Sequence, residues 1–114
     1  MAVKWSSEEW AGQSMLLDFR AAGRCELCGE RITRAAHRHH RQRRGVGGDR
    51  LSNLVLLHPE CHWQVHGSPE GARAEGFIVS SYAADPALVP VRIRGRLVLL
   101  TDDGDYLDPT LDGR

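Results

Sequence analysis

CELCGERITRAAHRHHRQRRGVGGDRLSNLVLLHPECHWQVH, the stretch from Cys25 to His66, holds all six histidines and all three cysteines of the 114-residue chain. Their spacing separates into two sets of metal ligands. The first is Cys25, Cys28, His58 and Cys61, two pairs with two residues inside each pair. One pair sits in a knuckle-type turn, where Gly29 lets the backbone fold under an ion, and the other at a strand-to-helix junction. Such pairs can converge on a tetrahedral structural zinc. A single Cys-x-x-Cys would fit a redox motif equally well; the second pair about thirty residues on is what favours zinc.

The second set is His39, His40, His62 and His66. His62 and His66 are four apart on an expected short helix, so their imidazoles leave one face and can share an ion. His39 and His40 are neighbours on an expected strand and point to opposite faces, so one can bind the ion while the other takes a separate role. His37 lies in the same tract and is read as an ordinary surface or core histidine.

Working outward, Leu54 to Leu57 is an apolar run of strand length, and Pro59 is placed to open a helix that runs to about His66 and stops at Gly67. Ile32 to Arg41 reads as the first strand. Gln42 to Asn53, rich in glycine, reads as a loop. Upstream, one helix is expected over residues 6–22, opened at Ser6 or Ser7 and ended by Gly23. Downstream, Ser68 to Gly76 reads as a surface loop or short helix. Strands are expected at Phe77 to Tyr82, Val89 to Arg94 and Leu97 to Leu100, the last two forming a hairpin at Gly95. Residues 102–114 read as an acidic tail.

The formal net charge is zero, but it is unevenly distributed. Residues 20–50 carry nine arginines against Glu26, Glu30 and Asp49, a local balance of +6, and the rest of the chain carries −6, much of it in the tail. Arginine presents a planar fork that binds phosphate oxygens in pairs, so a basic block coinciding with the histidines points to nucleic acid. The tail is then expected to screen that block when DNA is absent. Three cysteines make a poor disulfide framework, and no charged-then-apolar leader or apolar run of roughly 18 residues is present, so a reducing cytoplasmic setting without a membrane partner is expected.

Taken together, the motifs resemble the HNH endonucleases. The resemblance runs from Cys25-Glu-Leu-Cys28 through His39-His40-Arg41 and the segment Gly47 to Leu57 to Cys61-His62-Trp63-Gln64-Val65-His66. Gly76 to Ser80 and the hairpin from Val89 to Leu100 resemble the C-terminal part of small actinobacterial and phage members. The implied fold is α+β: a ββα-metal core over residues 25–67 with a structural zinc site, an N-terminal helix and a C-terminal β extension over 76–101, all in one domain. The resemblance makes His40 the general base, Asn53 the middle asparagine that braces the loop and orients His40, and His62 the final histidine of the motif. His39, His62 and His66 match the positions that hold the catalytic ion. His58 departs from the pattern, since such proteins usually carry a cysteine there; histidine is itself a good zinc ligand.

The implied reaction is hydrolysis of DNA phosphodiester bonds to 5′-phosphate and 3′-hydroxyl ends. Histidine ordinarily titrates near pH 6.5, so a neutral imidazole can take a proton from water. Three imidazoles favour zinc, nickel, cobalt or manganese over magnesium, although magnesium can complete its shell with phosphate oxygens and water. Arg38, Arg41, Arg43, Arg44 and Arg50 are expected to grip the DNA backbone, which positions a duplex without reading its sequence. A homodimer or a phage packaging (terminase) protein is the expected partner for cutting both strands. Two rivals stand beside this reading. A zinc-stabilised nucleic-acid-binding module keeps the cysteines and arginines but has no use for His40 and Asn53, and a redox protein would need a surrounding βαβ pattern.

Overall fold

A strand that is apolar at every position needs cover on both faces, and Leu54–Leu57 (β2) is buried at all four. In the computed structural model, which describes residues 7–83 and 85–110, β2 lies between two layers. Leu54 and Leu56 pack with Leu17 and Ala21 of α1 (Ser7–Ala21). Val55 and Leu57 face a second cluster with Cys61 and Val65 of α3 (Pro59–Gly67), Phe77, and Val91, Ile93, Val98 and Leu100 of a C-terminal hairpin.

The first strand, β1 (His37–His40), pairs antiparallel with β2 in the register His37↔Leu57, Arg38↔Leu56, His39↔Val55 and His40↔Leu54. Directly opposed residues share a face. His37 and His39 therefore lie on the α3 side, and Arg38 and His40 on the α1 side. The strand is shorter than the expected Ile32 to Arg41. Residues 32–36 include two alanines, poor strand formers, and Ile32 spends its N–H on the Gly23 carbonyl instead.

Between β1 and β2 the expected loop contains α2 (Arg44–Gly47) and a 3-10 turn at Leu51–Asn53. Then α3 follows with Pro59 at its start, as expected, and α4 (Pro69–Ala74) realises the short-helix reading. The expected strand from Phe77 to Tyr82 is absent. Phe77 and Val79 are buried, but the Phe77 N–H bonds Ala72 and the Val79 N–H bonds Arg41, so no neighbouring strand is left for this segment to pair with.

The hairpin forms between β3 (Val91–Ile93) and β4 (Arg96–Leu100), and turns at Arg94 and Gly95, both with positive φ. A third strand, β5 (Tyr106–Leu107), pairs with β4. It lies within residues that read as a tail, so Tyr106 and Leu107 of that segment belong to the sheet; Asp112 lies outside the described residues. The start of α1 at Ser6 likewise lies outside them. Among the described residues no helix is long and apolar enough to cross a membrane.

The architecture is α+β, with strand, connection, strand and helix in the order β1, β2, α3. One buried ion pair ties its layers together. Arg20 of α1 donates to both carboxylate oxygens of Glu26 at 2.9 Å, and to the carbonyls of Leu51 and Leu54. Glu26 in turn accepts from the Leu56 N–H and the Tyr106 hydroxyl. Every polar atom in this set is used, which is the condition for burying charge without a large penalty.

Candidate metal centres and active site

The knuckle turn and the junction of β2 with α3 bring Cys25, Cys28, His58 and Cys61 together with one ligand atom each, all within 4.8 Å of one another. Backbone amides point into the group: the Glu30 N–H meets Cys28 Sγ and the His58 N–H meets Cys25 Sγ, each at 3.5 Å. Burial alone would raise the Cys25 thiol, but the N–H groups of Cys28, His58 and Leu27 outweigh it and hold it below the ordinary thiol range. Cys61 goes the other way, pushed up to about 12 by burial and by the neighbouring Cys25 and Cys28 sulfurs. Sulfurs packed this closely resist ionising together unless a cation joins them, and that is the chemistry of a zinc site.

His58 fits the same group. Its Nε2–H donates to the Arg31 carbonyl at 3.2 Å, and its Nδ1 lies 3.4 Å from Cys28 Sγ. A backbone carbonyl only accepts, so the ring proton belongs on Nε2 and the Nδ1 lone pair faces the sulfurs. This cluster could hold a zinc.

On the α3 side of β1, His39, His62 and His66 form a second group with ligand atoms within 4.8 Å of one another. The four-residue spacing brings His62 Nε2 to 3.1 Å from His66 Nε2. His39 is buried, and its Nε2–H donates to the Phe77 carbonyl at 2.6 Å, which leaves Nδ1 as its free lone pair. Burial, with the neighbouring histidines adding to it, lowers the His39 pKa to about 4, and burial also lowers that of His62. Neutral imidazoles with lone pairs converging are what a divalent ion requires.

His40 occupies the other face of β1, as neighbours on a strand must. Its Nε2 lies 2.7 Å from Asp49 Oδ1, and its ring stacks at 6.0 Å on Trp10 of α1. Asp49 is fully buried, and its second oxygen takes a bond from Arg44 at 2.8 Å. Burial would raise this carboxyl, but the bonds from Arg44 and His40 hold it below the ordinary carboxylate range. Gln13 of α1 fixes the Asp49 backbone carbonyl at 2.9 Å.

Asn53 is fully buried and touches neither cluster. Its Oδ1 accepts from the Gln42 N–H, and its Nδ2 donates to the carbonyls of Gln42 and Gly48, closing the loop that carries Asp49. The loop is tight there: a Cβ on Gly47 would lie 2.7 Å from Asn53 Nδ2.

The arginines divide. Arg41, expected at the DNA surface, is a correction: it is 2 % exposed and donates to the carbonyls of Gly76, Ser52, Pro86 and Val89. Arg38 pairs with Asp18 of α1, and Arg50 with Asp85 and Asp102. The Arg44 side chain is 59 % exposed although it also holds Asp49. Arg43 is exposed at the start of α2, and its side chain has no ion pair among the described residues.

Three contributors were not singled out from the sequence: Asp49, Trp10 and His37. His37 places Nδ1 2.8 Å from His62 Nδ1. The period-two rule already puts His37 on the face of His39, so this contact had a signal. The contacts of Asp49 and Trp10 depend on how a loop and a helix pack, which no local pattern encodes.

No curated protein and no solved structure matches the chain. The model of the HNH endonuclease family matches residues 25–68, the span from the first cysteine of the knuckle to just past α3. The paired strands, the following helix and the clustered histidines agree with that match, so residues 25–68 are similar in sequence and in arrangement to an HNH endonuclease domain.

Proposed function

We propose that this protein is a metal-dependent endonuclease that hydrolyses DNA phosphodiester bonds and leaves 5′-phosphate and 3′-hydroxyl ends. The observation that carries the reading is the division of two adjacent histidines: His39 joins a three-imidazole cluster, and His40 is held by a buried carboxylate.

Asp49 accepts a hydrogen bond from His40 Nε2–H, which leaves the Nδ1 lone pair able to take a proton from water. The attacking oxygen bonds to phosphorus, the bond from phosphorus to the 3′ oxygen breaks, the attacking water's proton ends on the His40 ring, and the departing 3′ oxygen takes a proton from a second, solvent water to become the hydroxyl. Asp49 stabilises the imidazolium so formed, the role a carboxylate plays behind any histidine base. His39, His62 and His66 would hold a divalent ion, which would supply Lewis-acid relief of the charge that builds up in the reaction. Asn53 acts at one remove, by keeping the Asp49 loop closed.

Arg43 and Arg44 are the arginines best placed to receive phosphate. Arg38 is paired with Asp18, and Arg50 with Asp85 and Asp102. Cutting both strands falls to a homodimer or to a phage packaging assembly, acting on DNA in the cytoplasm.

The test is a labelled duplex with the His40→Ala protein. DNA affinity is expected to stay within about threefold of the unaltered chain while cleavage falls by roughly 10²-fold to 10⁴-fold. A His40→Ala protein that cuts at the unaltered rate overturns the assignment, and a chain that binds but never cuts is a zinc-stabilised binding module.

A further inference from the structure

We propose that His37 is a positioning residue for the three-histidine site: it accepts a hydrogen bond from His62 Nδ1–H and so holds that ring with Nε2 turned toward the ion. The inference rests on reading His39, His62 and His66 as one metal site.

Nitrogen atoms 2.8 Å apart need a single hydrogen between them, so one of His37 Nδ1 and His62 Nδ1 donates and the other accepts. The rings meet edge-on, with planes at 87° and centroids 5.0 Å apart. The other nitrogen of His62 decides the direction. His62 Nε2 lies against His66 Nε2, inside the cluster, and to offer a lone pair there a neutral ring must carry its hydrogen on Nδ1. His62 is then the donor, and His37 keeps its own hydrogen on Nε2.

The same device appears at His39, where the acceptor is the Phe77 carbonyl. Two of the three ligands thus have their second nitrogen fixed by a partner outside the group, one by backbone and one by a side chain. His37 is not a fourth ligand in this arrangement, because it meets the edge of the His62 ring away from His66. Its placement follows from β1: positions 37 and 39 share a face, and that face looks onto α3. Partners of this kind typically change metal affinity by 10-fold to 100-fold.

The test uses the full chain with zinc loaded on its cysteines, titrated with Ni²⁺ by calorimetry. His37→Phe is expected to raise the Kd for Ni²⁺ by about 10-fold to 100-fold. His37→Asn, whose carbonyl oxygen sits where Nδ1 was, should recover most of the affinity. Bound zinc should remain at one per chain in both, and His39→Ala should abolish Ni²⁺ binding. A His37→Phe protein that binds Ni²⁺ as the unaltered chain does overturns the proposal, and so does an Asn variant as weak as the Phe one. If His39→Ala also binds normally, the site reading itself has failed. Should the variants not fold, nitrogen-15 NMR of the unaltered protein with zinc in both sites decides: a coupling across the hydrogen bond between His62 Nδ1 and His37 Nδ1 supports the assignment, and its absence, or a proton on His62 Nε2, overturns it.

Discussion

At the scale of single residues, Asp49 links the general-base candidate to the arginine surface. A buried carboxylate with one cationic partner and one histidine stays charged and pulls both toward it. Asp49→Asn keeps the shape but removes the negative charge that faces His40 Nε2. It should lower kcat by roughly 10-fold to 100-fold with little change in DNA affinity, measured by single-turnover cleavage beside a binding assay. The same residue sets a pH effect. Because its folded-state pKa is depressed, the stability it contributes is fully present above the ordinary carboxylate pKa and is lost as pH falls through the folded value. Acid unfolding below about pH 4 should therefore be shallower in Asp49→Asn than in the unaltered chain. Residue identity was legible where spacing carried the signal, as at Cys25, Cys28, His58, Cys61, His62 and His66. Asp49 was only one acid in a basic block, because its role depends on where the loop after β1 folds back.

At the scale of elements, Asn53 closes the loop between β1 and β2, and Glu26 ties the knuckle to β2. Asn53→Ala strips three hydrogen bonds from buried backbone, and leaving such groups unpaired should cost about 3 kcal/mol in denaturant unfolding. On the other side of β2, Tyr106→Phe removes one of the groups that satisfy Glu26 and should cost about 1 to 2 kcal/mol. Elements with a strong local signature, β2, α3 and the hairpin, stood where the sequence pointed. Those that depend on distant partners did not. The segment from Phe77 has the composition of a strand but spends its hydrogen bonds on α4 and Arg41, and β5 lies among aspartates because Tyr106 reaches the Arg20 and Glu26 pair.

At the scale of the whole molecule, the +6 block is not a uniform DNA-binding face. One of its members, Arg41, is interior scaffolding, and Arg20 is likewise buried against Glu26. Arg41→Ala leaves four carbonyls without their donor and should destabilise the fold by at least about 3 kcal/mol, a loss read in thermal unfolding and not in DNA affinity alone. Arg43→Ala should leave the fold intact, weaken DNA binding, and reduce the slope of log affinity against log salt by about 0.9, the signature of one lost phosphate contact. Among the described residues of the acidic segment, Asp102 is the one that pairs with the basic block, at Arg50, and it also accepts from the Ser52 N–H. Deleting residues 102–114 would also remove β5, so Asp102→Asn is the cleaner test of the expected screening.

The measurement that bears most directly on the endonuclease reading is cleavage of supercoiled plasmid by metal-stripped protein re-supplied in turn with magnesium, manganese, nickel and zinc. The expected result is nicked or linear DNA with at least one ion, abolished by His40→Ala and by His39→Ala. Intact plasmid with every ion, or cleavage that survives both substitutions, would contradict it.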